Sequence, residues 1–493
     1  MNFAEHFPVL VILIPMLCAP LCVLVDRGAL AWFFSCVATG LAFFMSLDLL
    51  QVVQTSGTIS YTLGGWEPPW GIEYRIDLLS AYVLILIASI AFLVMCFARR
   101  SVEQEVREQS IVPFYATLLL AISGLAGICV TGDVFNLFVF LEISSIASYT
   151  LISMGKDRRS LNAAFKYLIM GTIGATFILI GIGFLYMQTG ALNMQDLASK
   201  LPELYDNRTI RAGLAFLTVG IGLKLALFPL HLWLPNAYAY APSVVSAFLA
   251  ATATKVAVYM LLRFLLGIYD MEFSLQAMPL NLILICLGAA AIISSSLVAI
   301  FQVNIKRLLA YSSVAQLGYI ALAIGLANQS GITAAMLHMF NHALMKGALF
   351  LALGALVYRV GSVELQHCRG LIRQMPYTSI AIILGGLSLI GVPGTAGFVS
   401  KWYLLQATLE AGLWPLAILV LVGSLLAVIY VWKIVEHLFF QPTEQQVAVK
   451  EAPLQMLIPI WILVAANLWF GFNTEFTWGL AQQASLALTG GAL

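Results

Sequence analysis

Residues 219–260 read VGIGLKLALFPLHLWLPNAYAYAPSVVSAFLAATATKVAVYM, and their only Lys, Arg, Asp or Glu residues are Lys224 and Lys255. Each lysine lies inside an apolar run, and Pro229, Pro235 and Pro242 separate the two runs. A helix of about 20 mostly apolar residues crosses a bilayer. These runs have that character, and neither has a polar face that would carry its lysine to water. Proline removes a backbone donor and breaks a helix. Such a break at membrane depth is tolerated only where protein or a water-lined cavity surrounds it. The stretch therefore predicts two membrane helices, the first of them broken, with one buried lysine each.

The rest of the chain agrees. Of 493 residues, 61% are hydrophobic and 10% charged, with a mean hydropathy of +0.96, whereas soluble domains carry about 25% charged residues. A net charge of +1 gives no basic surface, so no nucleic-acid partner is expected. The cysteines are scattered; only Cys18 and Cys22 are close, in an apolar run, and all read as packing residues. No iron–sulfur or zinc pattern, HExxH, dinucleotide fingerprint or phosphate loop occurs. Neither cofactor nor metal is expected. Glu5 stands where a signal peptide would be basic, so the first apolar run reads as a retained helix.

Fourteen candidate spans lie near 8–25, 29–50, 77–98, 112–130, 133–153, 163–187, 211–229, 243–266, 280–301, 308–327, 332–357, 377–409, 413–436 and 454–473. The fold class is an all-α polytopic membrane protein. One set of connections carries Arg27, Arg99, Arg100, Arg107, Lys156, Arg158, Arg159, Lys166, Lys306, Arg307, Arg359, Arg369, Arg373 and Lys450. The opposite set carries only Arg75, Lys200, Arg208, Arg211 and Arg263. The positive-inside rule then predicts both termini on the non-cytoplasmic side of a bacterial inner membrane. Lys433 fits either a cytoplasmic helix end or the membrane interior.

Five charged residues remain inside apolar segments: Glu142, Lys224, Lys255, Lys346 and Lys401. A charge at mid-bilayer costs about 2.5–3.5 kcal/mol on insertion scales, so such residues point to function. Desolvation disfavours an ammonium, and a nearby carboxylate favours it. A buried Glu–Lys pair of variable separation is therefore a proton-loading switch, and Glu142 with Lys224 is the natural pair. His338, His342 and Lys346 recur at i, i+4 and i+8, a stripe about 12 Å long on one helix face, and imidazoles can pass protons near neutrality.

The GVPGTAGF stretch, residues 391–398, interrupts the twelfth span just before Lys401, as the prolines interrupt the seventh just after Lys224. Lys224 and Lys401 are 177 residues apart, and Lys255 and Lys433 are 178 apart. This predicts two inverted five-helix repeats, spans 4–8 and 9–13. The corresponding organisation is helices 1–3 in residues 1–110, the repeats in 111–270 and 271–440, and helix 14 in 441–493.

Five stretches carry a family resemblance: DVFNLFVFLEISSIASY (133–149), KLALFPLHLWLPNAYAYAPSVVSAFLAATATK (224–255), NIKRLLAYSSVAQLGY (304–319), HMFNHALMKGALF (338–350) and GVPGTAGFVSK (391–401). Through them the chain resembles the antiporter-like subunits shared by Mrp-type multisubunit cation/proton antiporters and the proton-pumping membrane arm of respiratory complex I. Within that family it is most similar to the D-type subunits of the Mrp antiporters. The resemblance implies fourteen helices with broken helices 7 and 12. It also implies a proton pathway through Glu142, Lys224, Lys255, His338, His342, Lys346 and Lys401. Glu142 and Lys224 would be the paired switch, Lys255 the central relay, the histidines with Lys346 a bridge, and Lys401 the terminal group. One complex I subunit type has glutamate where Lys401 stands.

The leading expectation is a proton-translocating subunit of a sodium (or potassium)/proton antiporter, with an A-type subunit, small membrane subunits and lipid as partners. The chain would then be part of a secondary transporter, not itself an enzyme. One alternative is a proton-pumping subunit of a complex I-like NADH–quinone oxidoreductase or a membrane-bound hydrogenase, where it would be a translocase subunit. Another is the membrane subunit of an inorganic-carbon uptake complex. No repeated selectivity-filter motif supports an independent channel.

Overall fold

The computed structural model describes residues 3–442 and 449–490. Helices α1 (Phe7–Val25) and α2 (Gly28–Ser56) lead into a short antiparallel hairpin, β1 (Ile59–Thr62) and β2 (Glu73–Ile76), with Ile59 opposite Ile76. The hairpin lies within the long 51–76 connection, where no strand is expected from the sequence. Next come α3 (Leu78–Glu105), α4 (Ile111–Val130), α5 (Val134–Ser153), α6 (Arg159–Thr189), the short α7 (Met194–Lys200) and α8 (Arg208–Leu225). Local caps set several starts: the carboxylates of Asp77 and Asp133 accept from Ser80 N and Asn136 N at the heads of α3 and α5.

The chain continues through α9 (Leu234–Tyr240), α10 (Ser243–Ala251), α11 (Ala253–Leu262), α12 (Leu280–Ile300), α13 (Ile305–Gly325) and α14 (Gln329–Val360). It closes with α15 (Pro376–Ile390), α16 (Ala396–Glu410), α17 (Trp414–Val435), α18 (Leu454–Phe472) and α19 (Glu475–Thr489). Among the described residues, twelve helices are long and apolar enough to cross a membrane, counting α10 and α11 together. The expected spans outside that set are 211–229 and 377–409, the two that the sequence marks as interrupted. Helix α8 ends at Leu225 with Ala226 left-handed, and α15 ends at Ile390 with Gly391 left-handed before α16 begins. Gly397 is required where α15 and α16 meet, because a Cβ there would lie 1.8 Å from the Ser388 carbonyl oxygen.

Burial is graded from the rim to the centre. The apolar windows of the α10–α11 pair and of α13 are 94% buried, against 33% for α1 and α17. Leu24, Phe44 and Leu425 point outward and Phe472 is exposed, as expected where lipid is the solvent. The lysines are on the inner helices, so burial and charge rise together toward the centre. This inversion of the soluble pattern places the site.

Candidate functional site

The breaks expose backbone carbonyls, and charged side chains use them. At the end of α8, Trp233 Nε1 donates to Leu223 O at 2.9 Å and Leu227 N to Gly222 O at 2.9 Å, so the turn is held by its own sequence. Lys224, in the last turn of α8, points at α5. Its ammonium donates to Ser145 Oγ at 2.7 Å and Tyr149 Oη at 3.3 Å, and lies 3.8 Å from Glu142 Oε1. Glu142, Ser145 and Tyr149 follow one another at helical spacing along α5. Glu142 Oε1 is buried and accepts no hydrogen bond. The amine therefore sits on two hydroxyls with the carboxylate one short step away. A small void lined by Ser144, Ser145, Ser148 and Lys224 reaches Ala253, Val256 and Ala257 of α11.

Helix α11 carries Lys255. The break at Thr252, between α10 and α11, has no proline or glycine to announce it. Lys255 Nζ turns back to donate to the carbonyl of Ala250, and Thr254 Oγ1 is 3.4 Å away. Lys255 is fully buried, and the ion pairs among the described residues give it no carboxylate partner. It lies within electrostatic reach of His338, His342 and Lys346 on α14.

On α14 the histidine stripe is built as its spacing implies. The His338 and His342 rings stack with centroids 6.1 Å apart. Gln316 Oε1 can only accept, so His338 Nε2 donates to it at 2.9 Å, and Ser400 Oγ donates to Nδ1 at 2.8 Å. Neither ring nitrogen of the fully buried His342 has a hydrogen-bond partner among the described residues. A buried polar group is normally satisfied, so both nitrogens of His342 are open to exchange a proton with a neighbouring group. Lys346 donates to Leu309 O at 2.8 Å and to Ser312 Oγ, both on α13.

Lys401 crosses from α16 to the broken end of α15, donating to Leu389 O at 2.9 Å, Ile390 O at 3.0 Å and Ser424 Oγ at 3.1 Å. A cation at a helix C-terminus is favoured by the helix dipole, and the Tyr319 ring lies 4.9 Å below it. Lys433 caps α12 instead, donating to Ile300 O and Gln302 O. Among the described residues no group of His, Cys, Asp or Glu could hold a metal.

Two charged clusters are not visible in the sequence. Asp77 and Arg263 form a two-pronged ion pair at 2.6 and 2.8 Å, joined by Ser80 and Tyr259. Glu105, Ser243 and Lys306 form another, with Lys306 Nζ 3.9 Å from Glu105 Oε2 and 2.8 Å from Ser243 Oγ. Hydropathy sorts Lys306 with the loop charges, but the Asn304 cap, accepting from Arg307 N, places it in the first turn of a buried helix. That cap is the available signal.

A transmembrane family described as NADH:quinone oxidoreductase/Mrp antiporter matches residues 131–427, the region that holds Glu142, Lys224, Lys255, Lys306, Lys346 and Lys401. The chain belongs to this family. It is 40% identical to the N-type subunit of an NADH-quinone oxidoreductase of Desulforudis audaxviator, over 97% of this chain and 98% of that one. It is 31% identical to the D-type subunit of a Na+/H+ antiporter of Bacillus subtilis, over 98% and 97%. A chain of an archaeal membrane-bound sulfane sulfur reductase superposes with a TM-score of 0.90 at 30% identity, covering 99% of this chain and 98% of that one. The protein is thus a proton- or cation-translocating, multi-pass subunit of the NADH:quinone oxidoreductase/Mrp antiporter family, in the cytoplasmic membrane and within a multisubunit membrane complex.

Proposed function

We propose that this subunit moves protons along a row of buried groups running from Glu142 and Lys224 through Lys255, Lys346, His342 and His338 to Lys401. The observation that carries the reading is the Lys224 site. Its amine lies between a hydroxyl platform and an unbonded carboxylate oxygen 3.8 Å away. Moving onto Glu142 favours the ammonium; moving off it onto Ser145 and Tyr149 favours release toward the void beside α11. Lys255, His342 and Lys346 continue the row without a carboxylate to trap the proton, and Lys401 ends it at the α15 terminus. Two inverted five-helix repeats, residues 111–270 and 271–440, give this row its symmetry in the reading. Both halves pair a left-handed helix end with a buried lysine, at Ala226 and at Gly391. We also place both termini outside the cytoplasm, on the alternation of basic loops.

For the parent assembly we take a sodium (or potassium)/proton antiporter with an A-type subunit, small membrane subunits and surrounding lipid. The 31% identity to a D-type antiporter chain along nearly the whole length supports this. The second reading is a redox-driven proton pump, and the 40% identity to an N-type oxidoreductase chain favours it. The membrane chemistry is the same in both. Purification of the intact complex separates them: redox-active subunits mean a pump, and small membrane subunits alone mean an antiporter. The row itself is tested by Lys224→Ala and Lys224→Arg. Neither side chain can cycle a proton at this site, so both abolish proton movement in everted vesicles while the complex still assembles on a native gel. Full activity in Lys224→Ala refutes the row.

A further inference from the structure

Helix α14 carries the central groups, and each of its ends opens into a polar cavity. Gln329 and Thr333 line one of about 260 Å³. Val357 and Gly361 line the other, of about 320 Å³, on the face of the basic loops. At the rim of this larger vestibule lie Lys156, Asp157, Arg159 and Glu364. Arg159 pairs with Asp157 at 2.7 Å and holds its carboxyl below the usual range, and Lys156 Nζ donates to the carbonyl of Gln104. The lining continues inward to Glu105 and Lys306, which are nearly closed off from the surface, with side chains 14% and 4% exposed.

Glu105 is the last residue of α3, Ser243 the first of α10, and Lys306 lies in the first turn of α13. Glu105 Oε2 accepts from Ser243 N and Ser243 Oγ at 2.9 Å each, and Lys306 Nζ donates to Ser243 Oγ at 2.8 Å. An unbroken hydrogen-bonded line therefore runs carboxylate, hydroxyl, ammonium. Beyond it, Lys346 is bonded to Leu309 O and Ser312 Oγ, three and six residues along α13 from Lys306. That is a rise of about 4.5 to 9 Å, one to two helical turns. A purely structural tie would need none of this alignment with the vestibule on one side and Lys346 on the other.

We propose that Glu105, Ser243 and Lys306 form the proton inlet of this subunit, taking protons from the vestibule and delivering them to Lys346. The proposal rests on the proton row described above. In the step, the Lys306 ammonium gives its proton inward to the neutral Lys346 amine. Glu105 takes a proton from vestibule water. It passes that proton to Ser243 Oγ, whose own hydroxyl proton moves to the Lys306 amine. One proton enters, and all three groups return to their starting states.

The test compares Lys306→Arg, Glu105→Gln and Lys224→Ala in everted vesicles, with assembly followed on a native gel. Arginine keeps the positive charge and the tie to Glu105 but cannot release a proton. The inlet predicts that assembled Lys306→Arg loses transport by at least about tenfold, as an interaction needed in each turnover does; a structural tie predicts near-normal transport. Glu105→Gln, which still accepts from Ser243, is expected to slow transport likewise. If Lys224→Ala is inactive while assembled Lys306→Arg and Glu105→Gln keep full activity, the row stands and the inlet is wrong. If Lys224→Ala is fully active, the row fails and the inlet fails with it. A second arm does not depend on these variants folding. Ser362→Cys, at the vestibule lining, is reacted with a bulky impermeant maleimide, and transport is compared before and after in the same protein. Loss of transport on labelling from the face of the basic loops supports the inlet; full transport after complete labelling overturns it.

Discussion

Glu142→Gln isolates the electrostatic part of the switch. The substitution keeps the shape of the side chain and removes one charge 3.8 Å from the Lys224 ammonium. At an effective dielectric constant of about 20, two unit charges near 4 Å apart attract by about 4 kcal/mol. Since about 1.4 kcal/mol is a factor of ten in a proton equilibrium, the change alters the loading of that amine by up to about a thousandfold. The Ser145 and Tyr149 hydroxyls remain, so part of the site is preserved and the rate falls by less, about tenfold to a hundredfold near neutral pH. The variant amine needs a higher proton concentration to load, so the pH of maximal transport moves to lower values. The assay is cation-driven proton movement in everted vesicles across a pH series, normalised to assembled complex. A profile that keeps both its height and its position would refute the coupling of Glu142 to Lys224.

Three further outcomes follow from the same geometry. Lys255→Ala leaves an apolar gap between the void beside Lys224 and the α14 histidines, so transport drops to near background while assembly persists; wild-type rates in that variant would remove Lys255 from the row. At Lys401 the partners are two backbone carbonyls and the Ser424 hydroxyl; the carbonyls accept from a protonated carboxyl and repel an ionised one. Lys401→Glu therefore keeps measurable activity weighted toward low pH, and Lys401→Ala keeps much less, which a pH series of the two variants resolves. Gly397→Ala drives a Cβ to 1.8 Å from a backbone oxygen; overpacking of this kind costs about 1–3 kcal/mol, and it should show as earlier thermal unfolding of the purified complex in detergent.

The membrane class, the inner lysines and the two interrupted spans were legible in the sequence, because each rests on local chemistry. A run of apolar residues has one favourable solvent, and the clustered prolines after Lys224 and the Gly-Val-Pro-Gly stretch before Lys401 interrupt a helix locally, whereas the single Pro15, Pro20 and Pro459 stay inside α1 and α18. A charge in such a run must be offset whatever surrounds it. The i, i+4, i+8 stripe of His338, His342 and Lys346 was likewise fixed by helical period alone. What the tertiary structure decided are distances between residues far apart in the chain. It set Lys224 on Ser145 and Tyr149 with Glu142 just beyond bonding reach, and it left both nitrogens of His342 without partners among the described residues. It also moved Lys306 from an apparent loop charge to the buried partner of Glu105, 201 positions earlier. The bend at Thr252 belongs to the same group: nothing in its own residues breaks a helix, and Lys255 takes the carbonyl of Ala250 beside it only in the folded chain. Hydropathy and period act within a few turns, whereas a proton path depends on gaps of one hydrogen bond between different helices, and those gaps are set by how the helices pack.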